Sequence, residues 1–240
     1  MEQRNQHQQG SIDSDQSVAV LTENLTKRFG YKVAVNKVNL QVPRGTIFSI
    51  LGPNGAGKST LIKMIATILT ASSGRLYIFQ KDVTKASYQV KKRIGYLAHQ
   101  SLLYDEFTSL ENLVFYLKMM GKPEKEGPGP NPNQQLDKFI RLFGIESLLH
   151  EPVSQLSSGQ RKRVDLIRTL AHNPELLVLD EIFAGLDEKS TDIVQKFLRQ
   201  VKNRKTIILT THNKDLAYAF SDWICLLKKG KIQDVHAPKR

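Results

Sequence analysis

The stretch Gly52-Pro-Asn-Gly-Ala-Gly-Lys-Ser-Thr60 limits what this chain can fold into more than any other. It fills the pattern Gly-x-x-x-x-Gly-Lys-Ser/Thr with Gly52, Gly57, Lys58 and Ser59, which makes it a phosphate-binding loop. Ahead of it Thr46–Leu51 is a short apolar run that suits a buried strand, and behind it Leu61, Ile62, Ile65, Ile68 and Leu69 fall at helical spacing. The glycines let the backbone close around phosphate oxygens, and the free N–H groups opening the helix point at the anion with the helix dipole behind them. Lys58 is placed to reach the β- and γ-phosphates, and the Ser59 hydroxyl to ligand Mg²⁺. Gly52, Pro53, Asn54, Gly55, Ala56, Gly57, Lys58, Ser59 and Thr60 are the candidate nucleotide contacts of the loop.

A chain of 240 residues has room for one large domain, or one domain with a smaller insertion. It holds no second phosphate loop and no fixed-period repeat. No uninterrupted apolar run approaches the roughly 20 residues a membrane helix needs. The first 17 residues are polar and Gln-rich, so a disordered tail is expected there rather than a secretory leader. One cysteine, Cys225, excludes an internal disulfide framework and fits a reducing cytoplasm; among Trp223, Ile224, Leu226 and Leu227 it reads as a strand residue of the core. The net charge of +12 is scattered in short groups such as Lys91-Lys92-Arg93, with no interleaved aromatic platform. A solvated surface is therefore the first reading, a membrane surface or membrane partner the second, and nucleic acid the least expected partner.

Val18–Leu21 and Val38–Val42 have strand character, and Pro43-Arg44-Gly45 marks a turn. Between those strands lies Arg28-Phe29-Gly30-Tyr31, whose Phe29 either stacks on a base ring or packs in the ordinary way. A strand at Arg75–Phe79 follows the turn Ser72-Ser73-Gly74, and Leu110, Leu113, Val114 and Leu117 set a helix over Ser109–Met120. Residues 121–133 are interrupted by Pro123, Pro128, Pro130 and Pro132, and a flexible loop is expected. Helical spacing resumes with Leu136, Phe139, Ile140 and Phe143, which places a helical subdomain at about residues 99–172 inside a single domain of residues 18–240. Leu176–Leu179 is an apolar strand ending in Asp180-Glu181, followed by a helix around Thr191–Val201 and a strand Thr206–Thr210. This alternation predicts an α/β fold with a mainly parallel core sheet, which binds ligands at the carboxyl ends of its strands. The phosphate loop, Asp180-Glu181 and Thr211-His212 all fall at such ends.

Leu156-Ser157-Ser158-Gly159-Gln160 resembles the signature segment of the ABC ATPases, with Ser158 where that family usually has glycine. From Val18 to Val235 the order of segments is similar to the same family: phosphate loop, Gln-bearing loop, signature, apolar strand with Asp-Glu, the turn Ala184-Gly185-Leu186-Asp187, and a lone His after a strand. The resemblance implies a P-loop NTPase of the ABC ATPase fold, with an N-terminal antiparallel β part, an inserted helical subdomain, and ATP and Mg²⁺ as cofactors. It implies that Asp180 holds the Mg²⁺ shell, that Glu181 polarises the attacking water, that His212 contacts the γ-phosphate and that Phe29 stacks on adenine. Ser157, Ser158, Gly159 and Gln160, opening a helix to Ala171, would with Asp187 complete the site of a second ATPase subunit, identical or not. The family's Gln position falls on His99 when counted without a gap from Gly95, or on Gln100 if the loop bulges by a residue. Gln100 is the residue expected to reach Mg²⁺ and the water.

The expected function is the ATP-hydrolysing subunit of a membrane ABC transporter. Its membrane spans would come from an integral membrane partner received at Tyr104–Tyr116, leaving this chain cytoplasmic and peripheral on the inner face of the membrane. Within the family, Gly95–Tyr104 and Glu111–Tyr116 resemble the haem-exporter ATPases of cytochrome c maturation and their export-type relatives. The competing expectation is a soluble ABC ATPase in nucleic-acid or cofactor-assembly processes. A regulatory partner that binds ATP without hydrolysing it is disfavoured by the presence of both Glu181 and His212.

Overall fold

The computed structural model describes residues 17–83, 87–121 and 132–238. The expected N-terminal tail and the expected Pro-rich loop therefore lie, except for their border residues, outside the described residues. β1 (Val18–Phe29) and β2 (Lys32–Pro43) form a long antiparallel hairpin with its tip at Gly30-Tyr31, where Gly30 takes φ +55°. The sequence pattern suggested only the outer ends of these strands. Register shifts between Thr22 and Leu25 and between Leu25 and Lys27 interrupt the two-residue alternation, and Asn24 and Lys37 sit at positive φ, so the middle of the hairpin reads like loop.

β3 (Ile47–Leu51) leads into the phosphate loop and α1 (Lys58–Ile65). The helix stops short of Leu69 because Thr67 adopts a left-handed φ of +60°. β4 (Ser73–Ile78) and β5 (Lys81–Asp82) then complete a four-stranded antiparallel sheet in the order β2-β1-β4-β5. The short helix α2 (Ser87–Lys91) precedes β6 (Ile94–Leu97), a strand the sequence pattern did not separate from the loop after it. Gly95 explains its brevity of signal: a side chain there would strike the Thr169 carbonyl and Pro174, so the position is kept bare for close packing.

Three helices follow, α3 (Ser109–Met119), α4 (Pro132–Phe143) and α5 (Ser158–Ala171), before the chain returns to β7 (Leu176–Asp180). α6 (Glu188–Val201) starts a turn earlier than its apolar spacing suggests, because the Asp187 carboxylate caps it through the Ser190 N–H at 2.7 Å. β8 (Thr206–Thr210), α7 (Lys214–Phe220), β9 (Trp223–Lys228) and β10 (Lys231–His236) complete the chain. The second sheet runs β10-β9-β3-β8-β7-β6, parallel from β9 to β6 with β10 antiparallel at one edge.

Every residue of β3, β7 and β8 is buried, which is the mark of strands covered on both faces. Alternate side chains feed different cores. Phe48, Ile50, Val178 and Ile208 pack with Leu61, Ile62 and Ile65 of α1 and with the antiparallel sheet. Ile47, Leu177, Leu179, Ile207 and Leu209 pack with the helices α3 to α6. Because β3, β6, β7 and β8 run parallel, the segments leaving their carboxyl ends emerge along one edge of the sheet.

Candidate functional site

A cleft of about 960 Å³ opens along that edge, lined by the phosphate loop and by His99, Glu181 and His212. Phe29, Lys32, Val33 and Ala34 from the β1–β2 hairpin and Lys229 and Gly230 from the β9–β10 turn wall its far end. The loop is held from outside. The Gly230 N–H donates to the Ala56 carbonyl at 2.8 Å, and the Asn36 N–H to the Gly230 carbonyl at 2.8 Å. Any side chain at Gly52 would collide with the Leu227 carbonyl, and one at Gly57, at φ +103°, with the Ala34 carbonyl. These two glycines are thus fixed by close backbone approach as well as by the phosphate chemistry.

α1 has Gly57 as its N-cap, no side-chain cap and no acidic residue in its first turn. Its leading N–H groups are left for an anion, as a phosphate site requires. Lys58 is buried and its Nζ donates to the carbonyls of Gly52 at 2.8 Å and Pro53 at 3.2 Å, so the ammonium lies in the hollow the loop encloses. Asn54, Gly55, Ala56, Ser59 and Thr60 face the cleft, whereas Gly52 and Pro53 contribute through their carbonyls.

Asp180 ends β7 with its Oδ1 accepting hydrogen bonds from Thr210 Oγ1 at 2.6 Å and Ser59 Oγ at 3.3 Å. Its Oδ2 is buried and has no hydrogen-bond partner. An orphaned carboxylate oxygen beside a hydroxyl fits a hard divalent cation that completes its shell with phosphate oxygens and water. No group of three or more His, Cys, Asp or Glu side chains among the described residues could hold a metal unaided, so the nucleotide would have to share in holding it.

Glu181 has φ +53°, a conformation costing a non-glycine residue about 1–3 kcal/mol. The strain is held by a hydrogen bond from its N–H to Thr210 Oγ1 at 3.0 Å. Thr210, at the buried end of β8, therefore positions both carboxylates, donating to Asp180 and accepting from Glu181. Sequence reasoning missed it; a threonine closing the apolar run Thr206–Thr210 opposite Asp180 was the available signal. The Glu181 carboxylate is mostly buried and His212 Nδ1 lies 3.0 Å from its Oε2, while the His212 ring is largely exposed to the cleft.

His99 and not Gln100 lines the cleft. The strand β6 pairs with β7 in even register as far as Leu97, and both His99 and Gln100 lie in the loop beyond it. Phe29 is 50% exposed, lines the cleft and has Lys27 Nζ 5.3 Å from its ring centroid. A ring presented in this way suits stacking on a planar base rather than core packing.

Ser157, Ser158, Gly159, Gln160 and Asp187 lie outside this cleft. Ser157 and Gln160 form a reciprocal capping box on α5, Gln160 Oε1 accepting from the Ser157 N–H at 2.8 Å and Ser157 Oγ from the Gln160 N–H at 3.3 Å. The signature turn adjoins the 184–187 turn: a side chain at Gly159 would come 3.1 Å from the Gly185 carbonyl. The hydrogen bond from Ser190 holds the Asp187 carboxyl below the usual range. One chain thus carries a phosphate cleft and, apart from it, a second polar surface.

Two further features are present, the first outside the sequence reading and the second at the expected Tyr104–Tyr116 surface. Lys162, on α5, is buried and burial lowers its ammonium pKa, opposed by the charges of Asp165, Asp180 and Glu181. A groove of about 510 Å³ opens beside α3, lined among others by Ile68, Leu102, Tyr104, Phe115, Tyr116 and Met119. Tyr104, Phe107 and Phe115 cluster beside it with centroids 5.4–6.1 Å apart, all three exposed. No helix among the described residues is long and apolar enough to cross a membrane.

A family described as ABC transporter matches residues 35–184. The sulfate/thiosulfate import ATP-binding protein CysA of Mycobacterium tuberculosis is 34% identical over 222 residues, covering 92% of this chain and 62% of that protein. CysA of Mesostigma viride is 32% identical over 224 residues, covering 92% of this chain and 63% of that protein. The chain spans less than two thirds of the length of these relatives. Among solved structures, a dimeric ATP-binding cassette in a post-hydrolysis state bound to ADP and Pi superposes with a TM-score of 0.81 at 26% identity, over 92% of this chain and 99% of that one. A cbiO1 protein from Clostridium perfringens, part of an ABC transporter complex, gives a TM-score of 0.76 at 28% identity, over 93% and 90%.

Proposed function

The chain belongs to the ABC transporter family, and on that premise we propose that it is the ATP-binding and ATP-hydrolysing subunit of a membrane transport complex. One observation carries the reading: an uncapped helix N-terminus, a buried lysine, a hydroxyl–carboxylate pair with a free oxygen and a strained, histidine-paired glutamate converge on one cleft. In this reading residues 18–240 act as one ATPase domain, with residues 99–172 as its helical subdomain. The loop N–H groups and Lys58 hold the β- and γ-phosphates, and Phe29 supports the base. Ser59 and Asp180 would hold Mg²⁺, which when bound would supply charge screening of the phosphate oxygens. Glu181 takes the proton of the attacking water, and His212 and His99 face the γ-phosphate side of the cleft.

The signature surface, Ser157 to Gln160 with Asp187, lies outside the phosphate cleft. We assign it to the phosphate site of a second subunit, as a dimeric arrangement of two such chains allows. The exposed aromatic groove beside α3 is the surface for a cytoplasmic segment of an integral membrane partner, apolar enough to make exposure to water costly and large enough for a helix end. Such a partner would hold the chain on the cytoplasmic face of a membrane.

For cargo, the names of the relatives reported above weigh toward import of a sulfate-like anion over the haem-export comparison drawn from Gly95–Tyr104 and Glu111–Tyr116. Two measurements test the function. The purified chain should hydrolyse MgATP, and Glu181→Gln should lower kcat by about 10²-fold or more while ATP still binds, because only the base is removed. Purification from gently solubilised membranes should bring down a multi-span membrane protein in comparable amount. Recovery in the soluble fraction with nucleic acid would instead support the soluble-ATPase alternative.

A further inference from the structure

We propose that the buried ion pair between Asp165 and Arg168 is a clamp that positions His99 over the phosphate cleft. Both residues sit on α5, one turn apart, Asp165 wholly buried and the Arg168 side chain 6% exposed, with Nε 2.7 Å from Oδ1. Besides a bond from Arg168 Nη2 to Thr169 Oγ1 at 3.3 Å within the helix, the pair reaches one segment of chain at both of its ends. Arg168 Nη2 donates to the Tyr96 carbonyl at 3.0 Å, a carbonyl that also accepts from Thr169 Oγ1 at 3.2 Å. Asp165 Oδ2 accepts from the Leu102 N–H at 3.2 Å. Tyr96 stands just before, and Leu102 just after, residues 97–101, and His99 is the member of that segment that lines the cleft.

A buried ion pair is a poor way to hold two elements together, since an apolar pair of similar volume commonly stabilises as well or better. What the pair supplies that an apolar pair cannot is directional anchoring of a carbonyl at one end of the segment and an N–H at the other. The anchors also reach the second site. The Arg168 Cζ lies 4.7 Å from the centroid of the Tyr116 ring, and Tyr96, Leu102, Tyr116 and Arg168 all line the aromatic groove. A partner segment seated in the groove therefore bears on the same guanidinium that fixes His99. Asp165 and Arg168 are positioning residues and touch no nucleotide.

The proposal rests on the ATPase reading above, and its test separates the two. The variants are Asp165→Asn, which keeps the shape, and the double replacement Asp165→Leu with Arg168→Met, which leaves no uncompensated ion in the core. With MgATP as substrate, kcat should fall about tenfold or more with KM for ATP within about twofold, the pattern of a displaced catalytic group with binding intact. The same replacements made on His99→Ala should lower kcat no further, since groups acting as a unit are not additive. Amide exchange over residues 97–104 should quicken about tenfold while β3 and β7 keep their protection. Unchanged exchange in that segment, or a kcat loss that multiplies independently with that of His99→Ala, overturns the clamp. If the unaltered chain shows no ATP turnover, the ATPase reading fails, and the exchange result alone decides for or against the clamp.

Discussion

At the scale of single residues the phosphate cleft turns on which side chain stands where the strand edge delivers it. His99 faces the cleft and Gln100 does not. His99→Ala should therefore reduce ATP turnover by about 10²-fold if it aligns the water or the γ-phosphate, whereas Gln100→Ala should stay within about twofold; steady-state kinetics of both variants check this. Thr210 makes a second case. Its hydroxyl holds Asp180 through one hydrogen bond and the strained Glu181 backbone through another. Thr210→Val keeps the shape and removes both bonds, leaving buried groups unsatisfied at a cost of about 1–3 kcal/mol. The expected outcome is a weaker apparent Mg²⁺ affinity and a lower kcat with near-wild-type nucleotide binding, read from Mg²⁺ titrations of activity. Lys58, Ser59, Asp180 and Glu181 could be named from sequence because each lies inside a short motif. Thr210 could not, because its importance comes from a neighbour 30 positions away.

At the scale of elements, the parallel sheet is stitched at the entry ends of its strands as well as at the exits. Lys205, just ahead of β8, is partly buried, and its Nζ donates to Asn173 Oδ1 at 2.7 Å and to the Pro174 carbonyl just ahead of β7. Burial lowers its ammonium to about 8, with the Glu175 charge opposing. An unfolded lysine holds its proton to about pH 10.4. Between those values the unfolded chain binds more protons than the folded one, so this group makes stability rise with pH from about 8 to about 10.4, and the gain is lost as the pH falls back through 8. Lys205→Met should flatten that rise, as followed by denaturant midpoints across the window. Strands with apolar faces on both sides were legible because every position carries the signal. The hairpin of β1 and β2 was legible only at its ends, since its bulges shift the alternation.

At the scale of the whole molecule, one chain presents a phosphate cleft and a separate signature surface, and in the proposed reading a second copy or a close equivalent brings the two together. With ATP and Glu181→Gln, light scattering should detect a dimer that dissociates when ATP is removed. Adding Gly159→Asp should leave ATP bound at the phosphate loop and abolish that dimer, because the signature surface lies outside the cleft and a side chain at Gly159 crowds the Gly185 carbonyl. A dimer that persists in this variant would place the contact elsewhere. By itself the sequence determined the phosphate loop with its flanking strand and helix, the fully buried strands β7 and β8 and the acidic pair closing β7, because each is written in contiguous residues whose local chemistry is complete. The tertiary structure alone decided which of the two candidates His99 and Gln100 lines the cleft, that Thr210 steadies both carboxylates, and that Asp165 and Arg168 reach across to Tyr96 and Leu102. Those depend on distances between segments far apart in the chain, which strand register and helix packing set and which no local pattern records.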